Sequence, residues 1–133
     1  MNIVVVGQGA IGLLWYTQLK SMPKQQHQVS LLTSANDDKS ISKVEFTTLE
    51  QQQKAIPIQR ARSKEIQSAQ LILLSVKSYQ VKRAINEIKQ DLSNNANIIL
   101  CHNGMGTFEQ LPASLIQSHN IFTLLTTHGC KRT

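Results

Sequence analysis

The chain has 133 residues, 41% hydrophobic and 17% charged, a balance that supports one packed core and excludes a disordered segment. Fourteen basic residues against eight acidic leave a formal charge of +6, which calls for an anionic partner without naming it. Aromatics at 5% argue against stacking on single-stranded nucleic acid, no apolar run approaches the ~18 residues that span a bilayer, and Cys101 and Cys130 suit neither a disulfide scaffold nor a metal site. The apolar N-terminus lacks the basic region of a signal peptide, and the expectation is a protein of the cytoplasm.

In chain order, the run Ile3 to Val6 reads as a strand that feeds directly into Gly7, Gly9 and Gly12, with Leu13 to Tyr16 opening a helix that ends near Ser21. Each glycine has a separate task if the ligand is a dinucleotide. Gly7 allows the tight turn, Gly9 lets backbone approach the pyrophosphate, and Gly12 lets helix and strand pack closely. Val29 to Thr33 is the second strand, Ala35 to Ser42 is polar and turn-like, and the short alternating pieces between Lys43 and Gln59 predict a small hairpin. Leu71 to Val76 is the continuous apolar run of a parallel strand buried on both faces. An amphipathic helix follows, with Val81, Ile85, Ile88 and Leu92 on one stripe until Ser93 to Asn95 stop it. Asn97 to Cys101 is another buried strand, Phe108 to Ile116 a short helix interrupted or started near Pro112, and Ile121 to Leu125 a last strand. Alternation at this spacing predicts a doubly wound, mostly parallel α/β sheet of Rossmann type, in one domain spanning residues 1–133.

Ligands of open α/β sheets sit outside the carboxyl ends of the strands, so the residues just past each strand carry the chemistry. After the second strand stand Thr33 and Ser34, where an NAD-preferring site usually has an acid for the ribose 2′-hydroxyl. Two hydroxyls leave room for a 2′-phosphate, with Lys39 a candidate cation beside Asp37 and Asp38; the alternative is a turn cap. Lys77 follows the third long strand, either as a donor to cofactor ribose or carboxamide or as a solvated helix-start lysine. Asn103, before Gly104 and Gly106, offers donor and acceptor, or is an ordinary Asn-Gly turn. His102 and His128 are of a residue type suited to proton transfer near neutral pH but have no carboxylate partner by sequence, which favours structural roles. The basic cluster Arg60, Arg62 and Lys64 reads as a solvated face rather than a nucleic-acid site.

Taken together, GQGAIG at Gly7 to Gly12, LLSVKSYQV around Lys77, CHNGMGT around Asn103 and TTHG at Thr126 to Gly129 resemble the ketopantoate reductase family, over the whole chain. The resemblance implies NADPH-dependent reduction of ketopantoate to pantoate, a step toward pantothenate and coenzyme A. By position it implies that Gly7, Gln8, Gly9, Ala10, Ile11 and Gly12 bind the pyrophosphate and that Ser34 lies at the 2′-phosphate. It further implies that Lys77 contacts the cofactor, that Asn103 contacts cofactor and substrate, and that the backbone near Cys130 lines the nicotinamide side. Family members commonly have an arginine where Ser34 aligns, to hold the 2′-phosphate, so this position departs from the family pattern and supports the NADP preference less firmly. The family's helical second domain, which carries the lysine proton donor, is expected beyond Thr133. On this reading no catalytic residue lies in the chain, which by itself turns over no substrate. The alternatives are another hydroxyacid or sugar-phosphate dehydrogenase with a similar first half, a nucleotide-sensing Rossmann module without activity, and a nucleic-acid module.

Overall fold

A computed structural model describes residues 1–22, 27–33, 42–101 and 108–124. Five parallel strands form the central sheet in the order β2-β1-β5-β6-β7: β1 (Asn2–Val6), β2 (Gln28–Leu32), β5 (Leu71–Leu74), β6 (Asn97–Leu100) and β7 (Ile121–Thr123). The antiparallel hairpin of β3 (Lys43–Thr47) and β4 (Gln53–Pro57) falls where the alternating pattern predicts it. The helices are α1 (Ala10–Lys20), α2 (Ser63–Ser68), α3 (Val81–Ile88) and α4 (Ala113–Ser118).

The near-continuous apolar runs are explained by burial on both faces of the sheet. Val4, Val6, Ile72, Leu74, Ile98 and Leu100 pack against Ile66 of α2, the buried stripe of α3 and Leu115 of α4. Ile3, Val5, Val29, Leu31 and Leu73 face the other way, onto Tyr16 of α1 with Val44 and Ile56 of the hairpin. Helices thus cover both sides, and the winding is double as expected.

Tyr16 ties the hairpin to this second layer. Its fully buried hydroxyl donates to the Pro57 carbonyl (2.9 Å) and accepts from the Gln59 N–H (2.8 Å), and burial pushes its pKa up. Tyr16→Phe keeps the ring but leaves two backbone groups unpartnered. It should cost about 1–3 kcal/mol in denaturant unfolding with an unchanged slope on denaturant.

Several boundaries differ from the sequence expectation. The helix after β5 starts as a 3-10 turn, Ser78–Gln80, and its α-helical part stops at Ile88, although Leu92 still packs in the core. The stretch near Pro112 splits into a 3-10 turn, Phe108–Gln110, and α4, with Pro112 as N-cap residue. Helix α2 carries no obvious periodic pattern, because its six residues bury only Ile66. Beside it, Gln59 to Ala61 run parallel along the outer edge of β2, with Leu31 N–H donating to the Gln59 carbonyl and Ala61 N–H to the Leu31 carbonyl. This strand-like bridge occupies the place that a third consecutive parallel strand takes in the commonest dinucleotide-binding sheet order.

Candidate dinucleotide site

From β1 the chain crosses to β2 on one side, and the strands β5, β6 and β7 extend the sheet on the other, so the winding reverses between β1 and β5. The crevice at that switch point is where such sheets bind ligands. Its lip is built in register: Gly7 N–H donates to the Leu32 carbonyl (3.0 Å), Ser75 N–H to Val6 (2.8 Å) and Cys101 N–H to Leu74 (2.9 Å).

The three glycines separate by cause. Gly7 has φ +113°, the left-handed region where side chains are strained, and a Cβ there would also press on the Ser75 backbone and Val76 Cγ1, each at 3.1 Å. At Gly12 a Cβ would be driven into the Gly7 carbonyl oxygen and would lie 3.0 Å from the Gly7 carbonyl carbon, so this glycine lets α1 seat on the turn. Gly9 is different. Its backbone is extended (φ −71°, ψ −179°), a conformation open to any residue, and a Cβ there meets nothing within 4 Å. The described protein atoms give no packing reason for glycine at position 9.

Gly9 is also the N-cap residue of α1. Gly9 has no side chain to cap that end and the first turn holds no acidic residue, while Leu13 N–H supplies the first bond back into the cap, to the Gly9 carbonyl (2.9 Å). The amides of Ala10, Ile11 and Gly12 therefore precede the first intrahelical bond, at the positive end of the helix dipole, an arrangement suited to a phosphate. These features fit a dinucleotide pyrophosphate: open space at Gly9, a cradle closed by Gly7 and Gly12, and uncapped amides.

Lys77 follows the carboxyl end of β5, the neighbour of β1 in the sheet, and is exposed. Its N–H donates to Gln80 Oε1 (3.1 Å) and its carbonyl accepts from Gln80 N–H (2.8 Å), which fixes the backbone of the following turn. Cys101 is buried at the end of β6. Burial pushes its thiol pKa up, and the adjacent Ser75 hydroxyl, which falls short of hydrogen-bond geometry, offsets this only in part. Such a thiol is a packing group rather than a nucleophile at neutral pH. Ser34, Asn103 and Cys130, with Lys39, Asp37, Asp38, His102 and His128, lie outside the described residues.

One expectation needs correction. Arg60 is not simply part of a solvated face: it sits opposite Leu31 of β2, is half-buried, and donates from Nη1 to Thr33 Oγ1 at 2.8 Å. No sequence motif marks it, because the contact depends on the edge of β2, 27 residues earlier. Its cluster neighbours behave otherwise, with Arg62 as N-cap residue of α2 and Lys64 exposed in that helix's first turn.

A parallel, doubly wound sheet with a glycine turn and an uncapped helix at its switch point defines a Rossmann-type domain. The model of the family described as ketopantoate reductase PanE/ApbA matches residues 3–133, and the chain belongs to that family. A 2-dehydropantoate 2-reductase from Vibrio cholerae is 32% identical over 129 residues, which cover 97% of this chain and 40% of the relative. One from Yersinia pestis is 30% identical over 132 residues, covering 99% and 41%. The solved PanE/ApbA family ketopantoate reductase from Ralstonia eutropha shares the fold at a TM-score of 0.72 and 20% identity, over 94% of this chain and 40% of that one. The chain thus spans about two fifths of the length of these relatives. Among the described residues no helix is long and apolar enough to cross a membrane.

Proposed function

We propose that residues 1–133 form the NADPH-binding part of a cytoplasmic 2-dehydropantoate 2-reductase, the enzyme that reduces ketopantoate to pantoate. The observation that carries this reading is Gly9, a glycine that the packing of the described residues does not require, at the N-cap of α1. A ligand backbone lying where a side chain would project supplies the missing reason. In this reading Gly7 to Gly12 hold the pyrophosphate and Lys77 contacts the cofactor. Ser34 lies near the 2′-phosphate, Asn103 contacts cofactor and substrate, and Cys130 lies on the nicotinamide side.

Reduction of a keto acid needs a hydride donor, a group that protonates the developing alkoxide, and donors that hold the carboxylate in place. Bound NADPH supplies the hydride. In this reading the chain's residues orient that cofactor and do not supply the proton donor. NADPH oxidation followed by absorbance with ketopantoate present should therefore show no turnover by this chain. Lys77-dependent turnover would contradict the division of roles, since it would make this lysine the acid.

A further inference from the structure

We propose that Arg60 is the residue that reads the 2′-phosphate of NADP(H), in place of a cation on the loop directly after β2. The inference rests on the dinucleotide reading of the glycine loop and adds the determinant of cofactor choice to it. With the pyrophosphate at the start of α1, the adenosine ribose of a dinucleotide lies toward the carboxyl end of β2, where an acid selects the 2′-hydroxyl and an arginine the 2′-phosphate. Strand β2 ends at Leu32 and is followed in sequence by Thr33 and Ser34, so neither charge is supplied by the first two residues after the strand.

The chain brings the charge from elsewhere. Gln59 to Ala61 pair in parallel with β2, which carries Arg60 alongside Leu31, and its Nη1 donates to Thr33 Oγ1 at 2.8 Å. That bond draws the guanidinium toward the carboxyl end of β2. The segment is anchored behind by Tyr16, whose hydroxyl accepts the Gln59 N–H, and ahead by buried Ala61. An arginine on a pinned backbone loses less freedom on binding than one on a loose loop, and its planar fork matches phosphate oxygens in pairs. The overall charge of +6 assists the approach of a ligand carrying the additional phosphate.

The test is calorimetric titration of NADPH and NADH into the parent chain, Arg60→Gln and Arg60→Lys, with thermal unfolding of each variant as a check on the fold. The parent is expected to favour NADPH by about tenfold. Arg60→Gln should remove most of that preference by weakening NADPH alone, whereas Arg60→Lys, which keeps the charge but loses the fork, should weaken NADPH about threefold. NADH affinity should stay constant throughout. Unchanged NADPH affinity in both variants, or equal loss of both nucleotides, overturns the role of Arg60 while leaving the dinucleotide site standing. If Arg60→Gln does not fold, Arg60→Lys decides by the same criterion. Failure of the parent to bind either nucleotide overturns the underlying reading and the proposal with it.

Discussion

Gly12→Ala is expected to destabilise the fold by about 3 kcal/mol or more, lowering the melting temperature by roughly 10 °C. Two effects oppose each other. Alanine is the better helix former by about 1 kcal/mol, which favours the variant. Against this, its Cβ would collide with the carbonyl group of Gly7, a backbone atom that cannot swing aside as a side chain would. Gly7 is in turn held by its N–H bond to Leu32, so relief requires α1 to move away from the sheet. That movement would expose part of the layer formed by Tyr16, Ile3 and Val5. The clash outweighs the propensity gain several-fold. Thermal unfolding of parent and variant measures the outcome, and a variant as stable as the parent would show that the close approach of helix and turn is not needed.

Gly9→Val should behave in the opposite way, folding like the parent and losing the dinucleotide. The backbone at Gly9 is extended and the space around its missing Cβ is open, so valine meets no steric obstacle from the described protein atoms. The same side chain would stand where the pyrophosphate must approach the amides at the start of α1. The expected loss is about 2 kcal/mol or more, roughly thirtyfold in affinity, while the melting temperature falls by only a few degrees because valine is a poorer N-cap residue than glycine. Calorimetry and unfolding together separate the two glycines: one governs the fold and the other the ligand. Undiminished binding by Gly9→Val would contradict the assignment of Gly9 to the pyrophosphate.

The parts of the molecule that were legible in the sequence are those where one local pattern decides the structure. The apolar run Ile3 to Val6 has to be a strand buried on both faces, and the glycines that follow have to turn it into a helix. The hairpin likewise shows in the alternation of Val44, Phe46 and Ile56. The features that were not legible depend on distant partners. Tyr16 reads as one more apolar helix residue until its hydroxyl is found on Pro57 and Gln59, 41 and 43 residues away. The bridge at Gln59 to Ala61 has no pattern of its own and exists because β2 offers an open edge. Helix α2 is held by Ile66 and by Glu65 accepting the Arg62 N–H (2.9 Å), signals too short to produce periodicity. Arg60 is hidden for the same reason. Composition marks it as a surface cation, and only the pairing with β2 brings it to Thr33.

The most direct test of the central claim is a titration of NADPH into the isotopically labelled chain, followed through its backbone amide resonances. Binding at the switch point predicts saturable shifts concentrated at Gly7 to Gly12 and at Lys77, with little change at the hairpin tip around Glu50 and Gln51. Shifts that fail to saturate, or that gather away from the glycine loop, would contradict a dinucleotide site at the start of α1.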